Sequence, residues 1–352
     1  MKNRPLGPLM IDVSGTKLSA SDKDLLMHPL VGGVILFTRN YQNKDQLKRL
    51  VKDIKSLRNP ELLVSVDHEG GRVQRFRDEF IELPAVGELA DTDNISDEQL
   101  LLAKQHAFVM ATEVLSCGID ISFAPCVDLN WGVSDVIGNR AFHQYPTAVT
   151  NLATAYLEGM TQAGMAATAK HFPGHGAVVA DSHIDLPVDR RPIEAIREDI
   201  IPYRGLIDNG LQAVMMAHVV FERLADLPAG FSNYWVEREL RGRLGFNGVV
   251  FTDDLCMEAA VMYGDIERRA HLAFTAGCDM ALVCNNRPEV IKLIDTLEDG
   301  RWPNSGTEKV QQRYETLRAK PNFKIDDFFT SKEWTLAVDS LQHHFPDMKV
   351  HL

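Results

Sequence analysis

The sequence predicts an α/β fold on three observations. Short apolar, β-prone runs alternate with amphipathic helical stretches from Leu9 to Leu297, eight such runs are present, and six successive ones end in charged or amide side chains. Together these suit a (β/α)8 TIM-type barrel, a single domain with a C-terminal helical extension, and leave a doubly wound open sheet as the competing arrangement. The runs are Leu9–Val13, Val34–Phe37, Leu62–Val66, Ile119–Ala124, Ala166–Ala169, Ala213–Ala217, Gly248–Thr252 and Met280–Val283. Near-continuous apolar runs of this length fit parallel strands covered by helices.

The helical stretches between them are Lys44–Leu57, Asp97–Ser116, Ala148–Ala163, Pro192–Asn209, Trp235–Leu244, Ile266–Ala276 and Glu289–Leu297. Ser96 before Asp97, Glu98 and Gln99 is an N-cap followed by acids in the first turn. Gly118, Gly164, Gly210, Gly245 and Gly277 each stand where a helix should stop. After Gly300 the alternation ends. Helical patterns near Lys309–Leu317 and Lys332–Gln342, broken by Pro303, Pro321 and Pro346, predict an extension over residues 301–352 packed on a catalytic unit over residues 1–300.

Composition narrows the function. The 352 residues are 45% hydrophobic, enough for a large core, and the formal charge of -12 with no tight Lys/Arg cluster argues against nucleic acid. Five cysteines without a Cys-x-x-Cys pair suggest neither a disulfide framework nor a zinc ribbon. The N-terminal apolar run is broken by Pro5, Gly7, Pro8 and Asp12, unlike a secretory signal, and no stretch approaches a membrane span. A cytoplasmic, monomeric enzyme with a small-molecule substrate, no cofactor and no membrane partner is expected.

In a barrel, chemistry gathers at the C-terminal ends of the strands. There the sequence places Asp67-His68-Glu69 after the third run, Pro125-Cys126-Val127-Asp128 after the fourth, Lys170-His171 after the fifth, His218 after the sixth, Asp253-Asp254 after the seventh and Asn285-Asn286 after the eighth. They are expected to ring one pocket suited to a hydroxylated ligand. The stretch Lys170–Pro187 alone holds His171, His175, His183, Asp181 and Asp185. With the long segment after Gly70 it is expected to form an active-site loop.

These residues bear on several chemistries. His171, His175, Asp181 and His183 could ligate zinc, but their spacing matches neither His-Glu-x-x-His nor a cysteine site. No Gly-rich phosphate loop and no Gly-x-Ser-x-Gly elbow is present. Glycosidic cleavage remains, with Asp253 as a carboxylate on a rigid strand end; Asp254 is read as a helix cap.

Four segments then carry a resemblance: Lys170-His-Phe-Pro-Gly-His-Gly with Asp181-Ser-His183, Asp67-His-Glu-Gly-Gly-Arg-Val-Gln-Arg75, Gly138-Asn-Arg140-Ala-Phe142 and Phe251-Thr-Asp253-Asp-Leu255. Together they resemble the family 3 glycoside hydrolases over about residues 5–300, and more narrowly the single-domain bacterial β-N-acetylglucosaminidases of peptidoglycan recycling. The resemblance implies Asp253 as nucleophile, and His183 as acid/base with Asp181 as its partner. It implies Asp67, Arg75, Arg140, Lys170 and His171 as ligands of a terminal N-acetylglucosamine, with Asp128 as nearby support. The implied substrates are muropeptides such as N-acetylglucosamine β-1,4-linked to 1,6-anhydro-N-acetylmuramic acid, with or without stem peptides, and no metal is implied. A nearby carboxylate favours a protonated imidazole, so Asp181 would help His183 hold the proton to be donated. His175 is read as structural. A glycoside phosphorylase, a metal-dependent hydrolase and a non-catalytic sugar-binding barrel remain the rival readings.

Overall fold

The computed structural model describes residues 5–90, 92–180, 182, 186–297, 307–321 and 329–350. It is an α/β fold built on parallel sheets. Five strands, β1 (Leu9–Asp12), β2 (Val31–Leu36), β3 (Leu63–Val66), β4 (Ile121–Ser122) and β8 (Ala281–Val283), lie in the order β8-β1-β2-β3-β4. Three more, β5 (Thr168–Phe172), β6 (Ala213–Met216) and β7 (Val249–Phe251), lie in the order β7-β6-β5. The apolar composition of the runs has its cause here: strands such as β1 and β2 are buried along their whole length.

Backbone contacts continue past both pairs of sheet edges. Beyond β4, a parallel bridge joins Cys126 to Lys170, Thr168 N donates to Ala124 O at 2.8 Å, and Val127 N to Lys170 O at 2.9 Å. Beyond β7, a parallel bridge joins Phe251 to Met280, Thr252 N donates to Met280 O at 3.0 Å, and Leu255 N to Leu282 O at 2.9 Å.

Helices α1 (Ala20–Leu26), α2 (Lys44–Lys55), α3 (Asp97–Ser116), α4 (Pro146–Ala163), α5 (Ile193–Asp208), α6 (Tyr234–Arg243), α7 (Ile266–Ala276) and α8 (Arg287–Leu297) alternate with the strands. Ser96 caps α3 by accepting from Gln99 N, and the Gln99 side chain returns to the Ser96 backbone, completing a capping box. Gly164 and Gly277 end α4 and α7 in the left-handed conformation, with φ of 92° and 111°. Gly159 lets α3 and α4 approach closely, since a Cβ there would lie 2.1 Å from Lys104 O.

Three local expectations change. The fifth strand does not stop at Ala169; it runs through Lys170 and His171 to Phe172, because its backbone goes on pairing with β6 as far as Met216 and carboxylates from other strands bind the two polar side chains. The stretch expected at Trp235–Leu244 is a π-helix, closed by Leu244 N to Glu239 O at 2.9 Å. Helix α1 was not expected, although Ser19 and Asp22 make a second capping box at its start.

Past residue 306 the described chain forms α9 (Glu308–Glu315) and α10 (Lys332–His344). Arg313 of α9 and Arg241 of α6 grip the two oxygens of Asp279, each at 2.7 Å. α10 packs on α3. Among the described residues no helix is long and apolar enough to cross a membrane.

Candidate active site

A cavity of about 740 Å³ opens at the C-terminal ends of the strands. Asp67, Arg75, Arg140, Lys170, His171 and Asp253 all line it, together with Arg72, Asp254 and Asn285. Asp181 and His183 lie outside the described residues. His68, Glu69, Cys126, Asp128, His218 and Asn286 of the expected ring do not line the cavity. Asp128 sits behind His171, and His218 turns its Nε2 to Asp254 O at 3.1 Å. Both follow strand ends, yet their side chains support neighbours instead of facing the open space.

One wall of the cavity is a chain of alternating charges. Lys170 Nζ lies 2.9 Å from Asp67 Oδ1 and 2.6 Å from Glu69 Oε1, and Arg75 Nη2 lies 3.4 Å from Asp67 Oδ2. Arg140 clasps Glu69 through Nε to Oε2 at 2.9 Å and Nη2 to Oε1 at 2.8 Å. Burial opposes the charge on Lys170, Asp67 and Glu69, but the partners prevail. Lys170 is raised by Asp67 and Glu69, Asp67 is lowered by Lys170 and Arg75, and Glu69 is held well below the carboxylate range by Arg140 and Lys170. Charges locked this way stay ionised around neutral pH and hold their oxygens and nitrogens still, which is what recognising several sugar hydroxyls requires.

Glu69 lies inside the Asp67–Arg75 motif, and the resemblance implies no role for it. Alternation along the extended chain offers the signal that finds it: Asp67 and Glu69 share one face, and His68 takes the other, packing on Phe76 and Phe80 with its pKa pushed by burial down to about 3. Two motif cations, Lys170 and Arg140, also needed an anion.

Behind the wall, Asp128 organises the histidines. It accepts from the His171 ring at 2.7 Å, from His171 N at 3.2 Å and from His175 N at 2.7 Å. Burial works against its charge, yet the His171 ring and these donors bring its pKa down to about 2. Cys126 lies in the same cluster, its thiol donating to Asp128 at 3.3 Å. Thiol, carboxylate and imidazole atoms lie within 4.8 Å of one another, but each is engaged by another of the three. Burial pushes the thiol pKa well up, which disfavours the thiolate a metal would need.

The loop after β5 is fastened at several points. Gly176 must be glycine, because a Cβ there would lie 1.9 Å from Leu129 O. Ser182 is buried, its Oγ 3.1 Å from His175 Nε2, and its carbonyl accepts from Ala259 N at 3.1 Å, so it touches the segment that follows Asp253. Burial, and then the neighbouring His171, lower the His175 pKa to about 4, so its ring is neutral near pH 7. At the far end of the loop, Arg191 bridges Asp189 and Asp199 at 2.7 Å each, and Trp131 Nε1 donates to Asp199 at 2.8 Å.

Asp253 stands one residue beyond Thr252, whose Oγ1 accepts from Leu282 N at 3.1 Å. Its Oδ1 accepts from Asp254 N at 2.8 Å. Asp254 does not cap the short helix Glu258–Val261, whose N-cap is Met257. Its Oδ1 instead receives Cys256 N at 2.9 Å and Cys284 N at 3.0 Å, tying the end of β7 to the end of β8. Burial raises the Asp254 pKa to about 7.

Comparisons with known proteins agree with one another. The model of the glycosyl hydrolase family 3 N-terminal domain matches residues 7–317. A β-hexosaminidase of Thioalkalivibrio sulfidiphilus is 52% identical over 335 residues, 94% of each chain. Among solved structures, NagZ from Neisseria gonorrhoeae in complex with N-trifluoroacetyl-D-glucosamine superposes with a TM-score of 0.89 at 41% identity, covering 98% of this chain and 99% of that one. A family 3 β-N-acetylglucosaminidase from Paenibacillus sp. str. FPU-7 reaches 0.83 at 30% identity, over 98% of this chain and 68% of that one.

Proposed function

The chain belongs to glycosyl hydrolase family 3 and is a glycoside hydrolase, and from that premise we propose that it is a retaining exo-β-N-acetylglucosaminidase of cell-wall recycling. The observation that carries the reading is one cavity lined both by Asp253 and by the interlocked Asp67, Arg75, Arg140, Lys170 and His171. Its volume, about 740 Å³, falls in the range of small-ligand sites. The NagZ structure with N-trifluoroacetyl-D-glucosamine supports a terminal N-acetylglucosamine as the sugar held there. The substrate we assign is N-acetylglucosamine β-1,4-linked to 1,6-anhydro-N-acetylmuramic acid, with or without a stem peptide, turned over by a monomer in the cytoplasm.

In the first step the Asp253 carboxylate attacks the anomeric carbon and the bond to the aglycone oxygen breaks. That oxygen takes the proton of His183, which Asp181 helps keep charged. A covalent glycosyl ester on Asp253 results. In the second step neutral His183 takes a proton from water, the water oxygen attacks the anomeric carbon, and Asp253 leaves as a carboxylate. Two features support this division of labour. The backbone around Asp253 is tied to β8 through Thr252 and Asp254, which keeps the nucleophile still. Ser182, between Asp181 and His183 in sequence, is buried against His175 and bonded to Ala259 just past the nucleophile.

We read residues 1–300 as a closed (β/α)8 catalytic barrel and residues 301–352 as its helical extension. The bridges at Cys126–Lys170 and Phe251–Met280, each joining an edge of one sheet to an edge of the other, support closure. The test of function is to follow hydrolysis of an aryl β-N-acetylglucosaminide by NMR. β-N-acetylglucosamine as the first product supports the reading, the α-anomer overturns retention, and sugar 1-phosphate formed in phosphate buffer would make the protein a phosphorylase.

A further inference from the structure

The cations lining the cavity are matched to carboxylates, with one exception among the described residues. Arg75 and Lys170 have Asp67, and Lys170 and Arg140 have Glu69. Arg72 has none. Its Nη2 donates to two backbone carbonyls, Asp135 O at 3.0 Å and Val136 O, and its side chain is exposed at the rim. The turn that carries it is rigid. Gly71 N donates to Leu83 O at 2.8 Å, Arg77 Nη2 donates to Gly71 O at 2.7 Å, and the flanking Gly70 and Val73 pair across the hairpin. A guanidinium fixed by carbonyls keeps its full positive charge for a ligand, whereas one paired with a carboxylate does not.

Arg72 shares the cavity lining with Asp135 and Val136 and with Val179 and Ala180, which immediately precede Asp181 in sequence. A proton donor acts on the glycosidic oxygen, so the aglycone departs toward the loop that carries the donor. The chain as a whole carries a formal charge of -12, so its overall field repels anions and any preference for one must be local. Resting on the function proposed above, we propose that Arg72 is a specificity-determining residue that binds a carboxylate on the first aglycone residue, as in a muramic acid whose lactyl group is free. Asp135 beside it sets the limit of that preference by repelling the same carboxylate.

The test uses two disaccharides that differ in one group: N-acetylglucosaminyl-β-1,4-N-acetylmuramic acid with its lactyl carboxylate free, and the same compound as the lactyl methylamide. The readout is the ratio of kcat/KM for acid over amide, in which the fraction of folded enzyme cancels. Arg72→Met should lower the ratio about two- to fivefold, the scale of a charge-assisted contact at an exposed rim, and Arg72→Glu should lower it further. Arg72→Lys should keep most of it, and Asp135→Asn should raise it. If Arg72→Met and Arg72→Glu slow both substrates alike, with the ratio unchanged, Arg72 is only a staple between loops and the proposal fails. Failure of the unaltered enzyme to cleave either disaccharide would instead overturn the functional reading, and the Arg72 assignment with it.

Discussion

Replacing Glu69 by glutamine tests whether the charged wall of the cavity is a single electrostatic unit. Glu69 is 4% exposed and holds Arg140 by two hydrogen bonds of 2.8 and 2.9 Å and Lys170 at 2.6 Å. Removing one partner of a buried pair costs about 3–5 kcal/mol, because the remaining charge is stranded. Glutamine keeps the volume and one acceptor oxygen, and Asp67 still faces Lys170, so the cost should lie near the lower end, about 3 kcal/mol. Urea unfolding of both proteins should show a lower midpoint for Glu69→Gln at unchanged slope. Glu69 has a depressed folded-state pKa against an ordinary value of 4.5. Its contribution is therefore fully present above the unfolded value and is lost as pH falls through the folded value. The gap between the two proteins should stay constant from pH 8 to about 5 and close on further acidification. A loss below about 1 kcal/mol, the range of exposed pairs, would refute the coupling of Lys170 and Arg140 through Glu69.

Other perturbations separate the remaining parts. Asp128→Asn removes the charge that holds the His171 ring, and kcat/KM should fall about 10- to 100-fold from misplacement alone, measured on an aryl β-N-acetylglucosaminide. His183→Ala should slow substrates with poor leaving groups about 100-fold or more while sparing activated aryl glycosides; equal losses on both would remove His183 as the donor. Asp254 has a raised folded-state pKa of about 7, so its ionisation costs stability as pH rises through that value. Asp254→Asn should thus gain in urea midpoint over the unaltered protein at pH 8 relative to pH 5, and an equal difference at both pH values would contradict the raised pKa.

Much of this architecture is legible in the sequence because local signals agree with the tertiary arrangement. Ser96 and Gln99 fix the start of α3 within a single turn, and Gly164 and Gly277 end α4 and α7 by a conformation that suits glycine. Legibility stops where distant partners decide. Lys170 and His171 read as the end of a strand by polarity, yet β5 continues through them because Asp67, Glu69 and Asp128 arrive from other strands. The expected ring at the strand ends likewise needed side-chain direction: His218 and Asp128 follow strands but back their neighbours. The π-helical α6 differs from an α-helix by one residue per hydrogen bond, which an apolar pattern of ten residues does not resolve.

Covalent catalysis by Asp253, as proposed above, can be read out with a mechanism-based label. The enzyme is incubated with a 5-fluoro-N-acetylglucosaminyl fluoride, digested, and mapped by mass spectrometry. One added glycosyl unit on the peptide containing Asp253, located on that residue and absent from Asp253→Asn, is the predicted result. A label on any other residue, or steady turnover of the reagent with no covalent adduct at any time, would contradict it.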